Sequence, residues 1–186
     1  MSQKEIREKL AGAIEYLTKN PAEARYTDSY ATARMTSPDG LATEVTGPDG
    51  ATIATDMPTS VGGGNANQSP GWYLRAAEAS CVATLIAMRA AQEGATFEEL
   101  EVTVDSESDD RGILGMTDEV PAGPLRTRIR VRVKSTRVDE DDDNVWQTIV
   151  HWAVDHCPVT DAVRRAVPLT VEISTDEDEN ANRLTR

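Results

Sequence analysis

The sequence predicts an α+β protein: one domain of antiparallel sheet packed around a long central helix. Three observations carry this. Short alternating runs separated by turn dipeptides fill residues 25–56; an apolar stretch of helical length lies between Ser69 and Gly94; two further alternating runs occupy residues 100–108 and 125–133. At 186 residues with 27% charged and 39% hydrophobic positions, the chain suits a single core.

Residues 3–18 place Ile6, Leu10, Ala13, Ile14 and Leu17 at three- and four-residue steps, the pattern of an amphipathic helix, which Asn20-Pro21 should end. A meander of strands 29–37, 41–46 and 51–55 follows, punctuated by Pro38-Asp39-Gly40 and Gly47-Pro48-Asp49-Gly50. The loop 58–68 contains three consecutive glycines but lacks a Lys at phosphate-loop spacing, so it is no nucleotide cradle. Ser69 is then a natural N-cap, Pro70 a first helical residue and Gly94 a stop. Leu74, Ala77, Cys81, Leu85 and Met88 form one apolar stripe, and Val82, Ile86 and Ala90 widen it, so this helix should be the buried centre.

In strand 100–108, Val102 and Val104 oppose Glu101, Thr103, Asp105 and Glu107. In strand 125–133, Leu125, Thr127, Ile129, Val131 and Val133 oppose Arg126, Arg128, Arg130 and Arg132. Paired antiparallel, the carboxylates and arginines should form a cross-strand ladder rather than a nucleic-acid stripe. The acidic run 139–143 precedes a helix over 145–154 that should end near His156, before Pro158. A helical turn at 160–166, a last strand at 169–174 and a polar tail at 176–186 complete the chain. Residues 1–20 therefore read as an N-terminal helical extension and 21–175 as the domain.

The net charge of −13, from 32 acidic and 19 basic residues, argues against nucleic-acid and anionic-membrane partners. Neither a membrane-length apolar run nor a secretory leader is present in the sequence, so a cytoplasmic location is expected. Cys81 and Cys157, 76 positions apart, do not resemble an extracellular disulfide framework. Redox or nucleophilic use of these thiols competes with the plainer reading of two inert buried cysteines. Cys157 stands at a helix start beside His156, a setting that favours thiolate. A metal site built from His151, His156, Cys157 and Cys81 lacks a fourth ligand of recognisable spacing. A Cys–His hydrolase lacks an orienting Asn or Asp.

Two motifs match a known family. Ser69-Pro70 opening a helix that carries Ala77-Glu78-Ala79-Ser80-Cys81-Val82-Ala83-Thr84, and His156-Cys157-Pro158-Val159-Thr160-Asp161-Ala162-Val163, resemble the two cysteine motifs of the OsmC/Ohr family, the osmotically inducible and organic-hydroperoxide-resistance proteins. The resemblance covers about residues 25–175. It implies an intertwined homodimer with sites at the interface and thiol-dependent reduction of organic hydroperoxides or hydrogen peroxide. Cys81 would be the attacking thiolate, Cys157 the resolving thiol and an external dithiol the reductant, with neither cofactor nor metal. The chain departs from the family at Gly71, where a Glu is usual, and has no Arg in 51–68. Arg34 is the approximate candidate for the missing cation, and Glu78, one turn before Cys81, for the missing carboxylate. On the same scaffold, a small-molecule-binding or redox-sensing protein without turnover is the alternative, and a structural dimer with inert thiols is the third.

Overall fold

The computed structural model describes residues 2–136 and 142–174. Helix α1, Gln3–Lys19, is closed at its start by a capping box in which Glu5 N–H donates to Ser2 Oγ while Ser2 N–H donates to the Glu5 carboxylate. Arg7 Nε donates to the Ala91 carbonyl at 2.7 Å, so α1 lies against the end of the central helix.

Strands β1 (Thr32–Met35), β2 (Thr43–Thr46) and β3 (Thr52–Thr55) form the expected antiparallel meander, in the order β1-β2-β3. The first strand is shorter than its sequence pattern. Between β2 and β3, Asp49 (φ 55°) and Gly50 (φ 77°) are both left-handed and Ala51 N–H donates to the Pro48 carbonyl. This turn matches the twist of a hairpin, which explains the Asp-Gly pair.

Helix α2, Pro70–Glu93, runs 24 residues from a Ser69 cap, where Trp72 N–H donates to Ser69 Oγ, to left-handed Gly94. It packs on α1, on β4 (Phe97–Glu107), on α4 (Asp142–Asp155) and on α5 (Pro158–Arg164). Its buried face is Glu78, Val82, Ile86 and Ala90, with Ala91. The stripe predicted as central is therefore rotated: Cys81 and Leu85 are half-buried, and Leu74 is 42% exposed. The residues expected merely to widen the stripe point into the core. There they meet Trp146, Ile149 and Ala153 of α4 and Cys157.

β4 pairs with β5 (Arg126–Ser135) antiparallel, with Glu107 opposite Arg126, Asp105 opposite Arg128, Thr103 opposite Arg130 and Glu101 opposite Arg132. The ladder forms as expected. Arg126 reaches Glu107 at 2.5 Å, Arg128 reaches Asp105 at 3.0 Å, Arg130 also pairs with Asp105, and Arg132 holds both Glu99 and Glu101 at 2.9 Å. All are solvent-facing, so they fix register more than they add stability. Leu125, assigned to the core face, precedes the strand and is exposed. A short helix α3, Asp110–Ile113, interrupts the loop 109–124.

Helix α4 begins inside the acidic run, whose residues 139–141 lie outside the described part. Helix α5 starts two residues earlier than predicted because Cys157 itself is its N-cap. Residues 169–174 are not a strand: among the described residues no neighbour pairs with them, and Leu169, Val171 and Ile173 are 87%, 71% and 81% exposed. Alternation records a face meant for burial, but a strand also needs a ladder partner. The tail 176–186 lies outside the described residues. Among the described residues no helix is long and apolar enough to cross a membrane.

Candidate thiol site

The site forms where the middle of α2 meets the start of α5. Because Pro158 supplies no N–H and a fixed φ, α5 begins immediately after Cys157, leaving its first N–H groups aimed at that side chain. Thr160 N–H donates to Cys157 Sγ at 3.4 Å. The thiol of Cys81 lies beside that of Cys157, and both sulfurs face the Val159 N–H. Folding thus brings together the two cysteines that the sequence singles out.

Their environments differ in a way that decides who holds the proton. Burial pushes the Cys81 thiol up, and the neighbouring Cys157 sulfur pushes it further, against a smaller opposing pull from Val159 N–H. Burial acts on Cys157 in the same sense, but the Thr160 hydroxyl and N–H, the Cys81 thiol and Val159 N–H outweigh it and bring Cys157 below its ordinary value. Cys157 is therefore the better thiolate, with Cys81 as its hydrogen donor. Access runs the other way: Cys157 is 0% exposed, whereas Cys81 is half-buried.

Glu78 belongs to the site. It is buried on α2, and Thr160 Oγ1 donates to its Oε1 at 3.2 Å. The Thr160 hydroxyl thus has one hydrogen and two acceptors, Glu78 and the Cys157 sulfur. His156 is next to Cys157 in sequence but turns away: its Nδ1 meets the Trp152 carbonyl at 2.7 Å and its ring stacks on Trp152 at 4.2 Å between centroids. It finishes α4 and does not reach the thiols. Arg34 is exposed on β1, opposite Glu44, with no hydrogen bond or ion pair among the described residues. Within this chain it is not brought to the site. His151 is exposed beside the groove between α4 and β5, away from both cysteines. Among the described residues no group of three or more His, Cys, Asp or Glu side chains is arranged to hold a metal ion.

Two clefts border the surfaces of α2 and α5 near the thiols, lined by neighbours of the cysteines rather than by the cysteines themselves. One, of about 520 Å³, is lined by Leu74, Pro124, Pro158, Val159, Ala162 and Val163 and is almost wholly apolar. The other, of about 440 Å³, shares Leu74, Pro124 and Val163 with it and continues to Gly71, Arg75, Glu78 and Ser106. Met57 and Pro58 also line it, at the entry to the glycine loop, which is held by Asp56. That carboxylate accepts from Ala66 N–H at 2.9 Å, Met57 N–H at 2.7 Å and Gly64 N–H at 3.3 Å, and the Ala66 bond first, then Met57, holds it below the usual aspartate range. Gly63 packs so tightly on Met57 that a Cβ would fall 1.9 Å from the Met57 carbonyl oxygen. The glycines serve a close backbone approach.

Sequence reasoning passed over Thr160, Arg75 and Asp56. The first two were discoverable: Thr160 occupies the third residue after the cap, where an N–H meets a capping side chain, and Arg75, Glu78 and Cys81 recur every three residues on one helix. Asp56 carried no signal, since nothing in its neighbourhood marks which loop amides it will collect.

The family model described as OsmC-like protein matches residues 62–172. Among solved structures, an OsmC-like protein of Vibrio cholerae is 15% identical, with a TM-score of 0.63 over 76% of this chain and 97% of that one. An OsmC-like protein of Mycoplasma pneumoniae is 13% identical, with a TM-score of 0.60 over 75% and 89% of the two chains. An organic hydroperoxide resistance protein of Legionella pneumophila is 18% identical, with a TM-score of 0.54 over 75% and 91%. At these identities the likeness is one of fold. Among curated proteins, none matches the chain.

Proposed function

The chain belongs to the OsmC-like family, and from that premise we propose that it is a thiol-dependent peroxidase that reduces organic hydroperoxides, or hydrogen peroxide, in oxidative-stress defence. The observation that carries the reading is the meeting of Cys81 and Cys157 where α2 packs on the start of α5, with Cys81 only half-buried. The hydroperoxide-resistance protein of Legionella pneumophila that shares the fold supports it.

The chemistry follows from the unequal thiols. The Cys157 thiolate takes the hydrogen of Cys81, making the reachable sulfur the nucleophile. Cys81 attacks the outer peroxide oxygen; an S–O bond forms, the O–O bond breaks, and the departing alkoxide leaves as the alcohol after taking a proton from the Cys157 thiol. The Cys157 thiolate then attacks the sulfur of the Cys81 sulfenic acid; an S–S bond forms, the S–O bond breaks, and the departing hydroxide takes a proton from solvent and leaves as water. An external dithiol reduces the disulfide and is itself oxidised. Glu78, through Thr160, orients the hydrogen bonds around Cys157. Neither metal nor cofactor enters these steps.

The working unit in this reading is an intertwined homodimer, cytoplasmic, with residues 21–175 as the domain, 1–20 as an added helix and 176–186 as a polar tail. The bare apolar side chains of Leu169, Val171 and Ile173, with Tyr26 and Tyr30, support a second copy as their cover. A sensing or ligand-binding protein without turnover is favoured by one observation: no Arg–carboxylate pair touches the thiols among the described residues.

Intact-mass spectrometry after one equivalent of cumene hydroperoxide should show loss of two hydrogens, reversed by dithiothreitol. An unchanged mass would overturn the peroxidase, and oxidation without repeated turnover by dithiols would favour the sensor.

A further inference from the structure

Arg75 stands apart from the other arginines that line the protein's surface pairs. Half-buried on α2, it makes no ion pair among the described residues, although the chain is strongly acidic. Among the described residues its one side-chain hydrogen bond runs from Nη1 to Ser106 Oγ at 3.3 Å. The same Nη1 lies 3.8 Å from where a Cβ on Gly71 would be, an ordinary contact distance, so the guanidinium turns toward the start of the helix. The other carboxylates on this cleft are engaged or peripheral: Asp109 is held by Arg111 at 2.5 Å, Glu78 accepts from Thr160, and Asp110 is exposed on the rim. A half-desolvated guanidinium with unused donors seeks a planar anion.

From Arg75 the wall runs over Leu74 and Val163 to Val159, whose N–H faces Cys81. Cys81 lies six positions after Arg75 on the helix, roughly 9 Å along the axis at about 1.5 Å per residue. A cation at one end and apolar walls running to Val159, the residue next to the thiols, fit an amphipathic ligand.

We propose that Arg75 is an anion anchor, and that the cleft takes an amphipathic monocarboxylate with its carboxylate on Arg75 and its chain laid over Leu74 and Val163 toward the thiols. Resting on the peroxidase reading, this makes Arg75 the residue that selects acid hydroperoxides over neutral ones of equal size. It acts on binding and touches neither sulfur.

Calorimetric titration of the reduced protein with decanoate and with decanamide, alike in apolar length and different in charge, tests it without any turnover. Decanoate should bind more tightly. Arg75→Gln should weaken decanoate about 10- to 100-fold, the worth of a charge-assisted hydrogen bond, and leave decanamide unchanged. Arg75→Lys should recover part of the loss. Oxidation of the wild-type Cys81 by cumene hydroperoxide, which is neutral, reads the peroxidase separately: a wild type that binds decanoate through Arg75 but is not oxidised would sink the peroxidase and leave the anchor standing. Equal binding of the two probes, equal loss of both in the variant, or no binding of decanoate would overturn the anchor.

Discussion

Cys81→Ser is expected to reduce hydroperoxide consumption to the rate seen without protein, while Cys157→Ser slows the first oxidation by about 10²-fold, the usual worth of a positioned proton acceptor. The asymmetry follows from access and acidity together. Cys81 is half-buried and Cys157 fully buried, so in the proposed reaction replacing Cys81 would remove the nucleophile, and replacing Cys157 the base and the resolving sulfur. The Cys157→Ser protein should therefore stop at a sulfenic acid that dimedone traps. Its rate should also rise only at higher pH than the wild type, because burial still pushes Cys81 up and the more acidic partner is gone. In the wild type, the pH midpoint belongs to the pair rather than to either residue. Stopped-flow oxidation across pH reads both effects. Full reactivity of Cys81→Ser, with none in Cys157→Ser, would exchange the two roles.

Ile86→Ala should cost about 2–5 kcal/mol, a large share of the roughly 5–15 kcal/mol that holds a domain folded. Ile86 is 0% exposed at the centre of the core, against Trp146 and Ile149 of α4. Alanine favours helix more than isoleucine, which offsets a few tenths of a kcal/mol. The cavity dominates. Leu74→Ala removes as much hydrocarbon from a side chain already 42% exposed and should cost clearly less. Urea midpoints at unchanged slope compare the two. A larger loss at Leu74 would mean that the predicted stripe, not the observed face, is the core.

That rotation shows what periodicity can and cannot carry. The caps Ser69 and Gly94 bounded α2 to the residue, since they are local chemistry. Which arc of so apolar a helix faces inward depends on where α4 lands, and no local pattern holds that information. The cross-strand ladder was legible because complementary charges on two strands permit few registers. In the segment 169–174 the alternation that suggests a strand is visible in the sequence, whereas the absence of a pairing neighbour among the described residues is not. At the site, the cysteines and Glu78 could be found by spacing. His156 misled because adjacency along the chain says nothing about direction: the end of α4 and the Trp152 ring claim its imidazole.

The neighbouring sulfurs have a thermodynamic corollary. Joined, they would tie the central helix to the chain 76 positions further on and strip freedom from the unfolded ensemble, worth about 4 kcal/mol for a loop of that size. Reduced and oxidised forms should then melt at distinct temperatures, and a heating curve becomes a gauge of how much of the protein is oxidised.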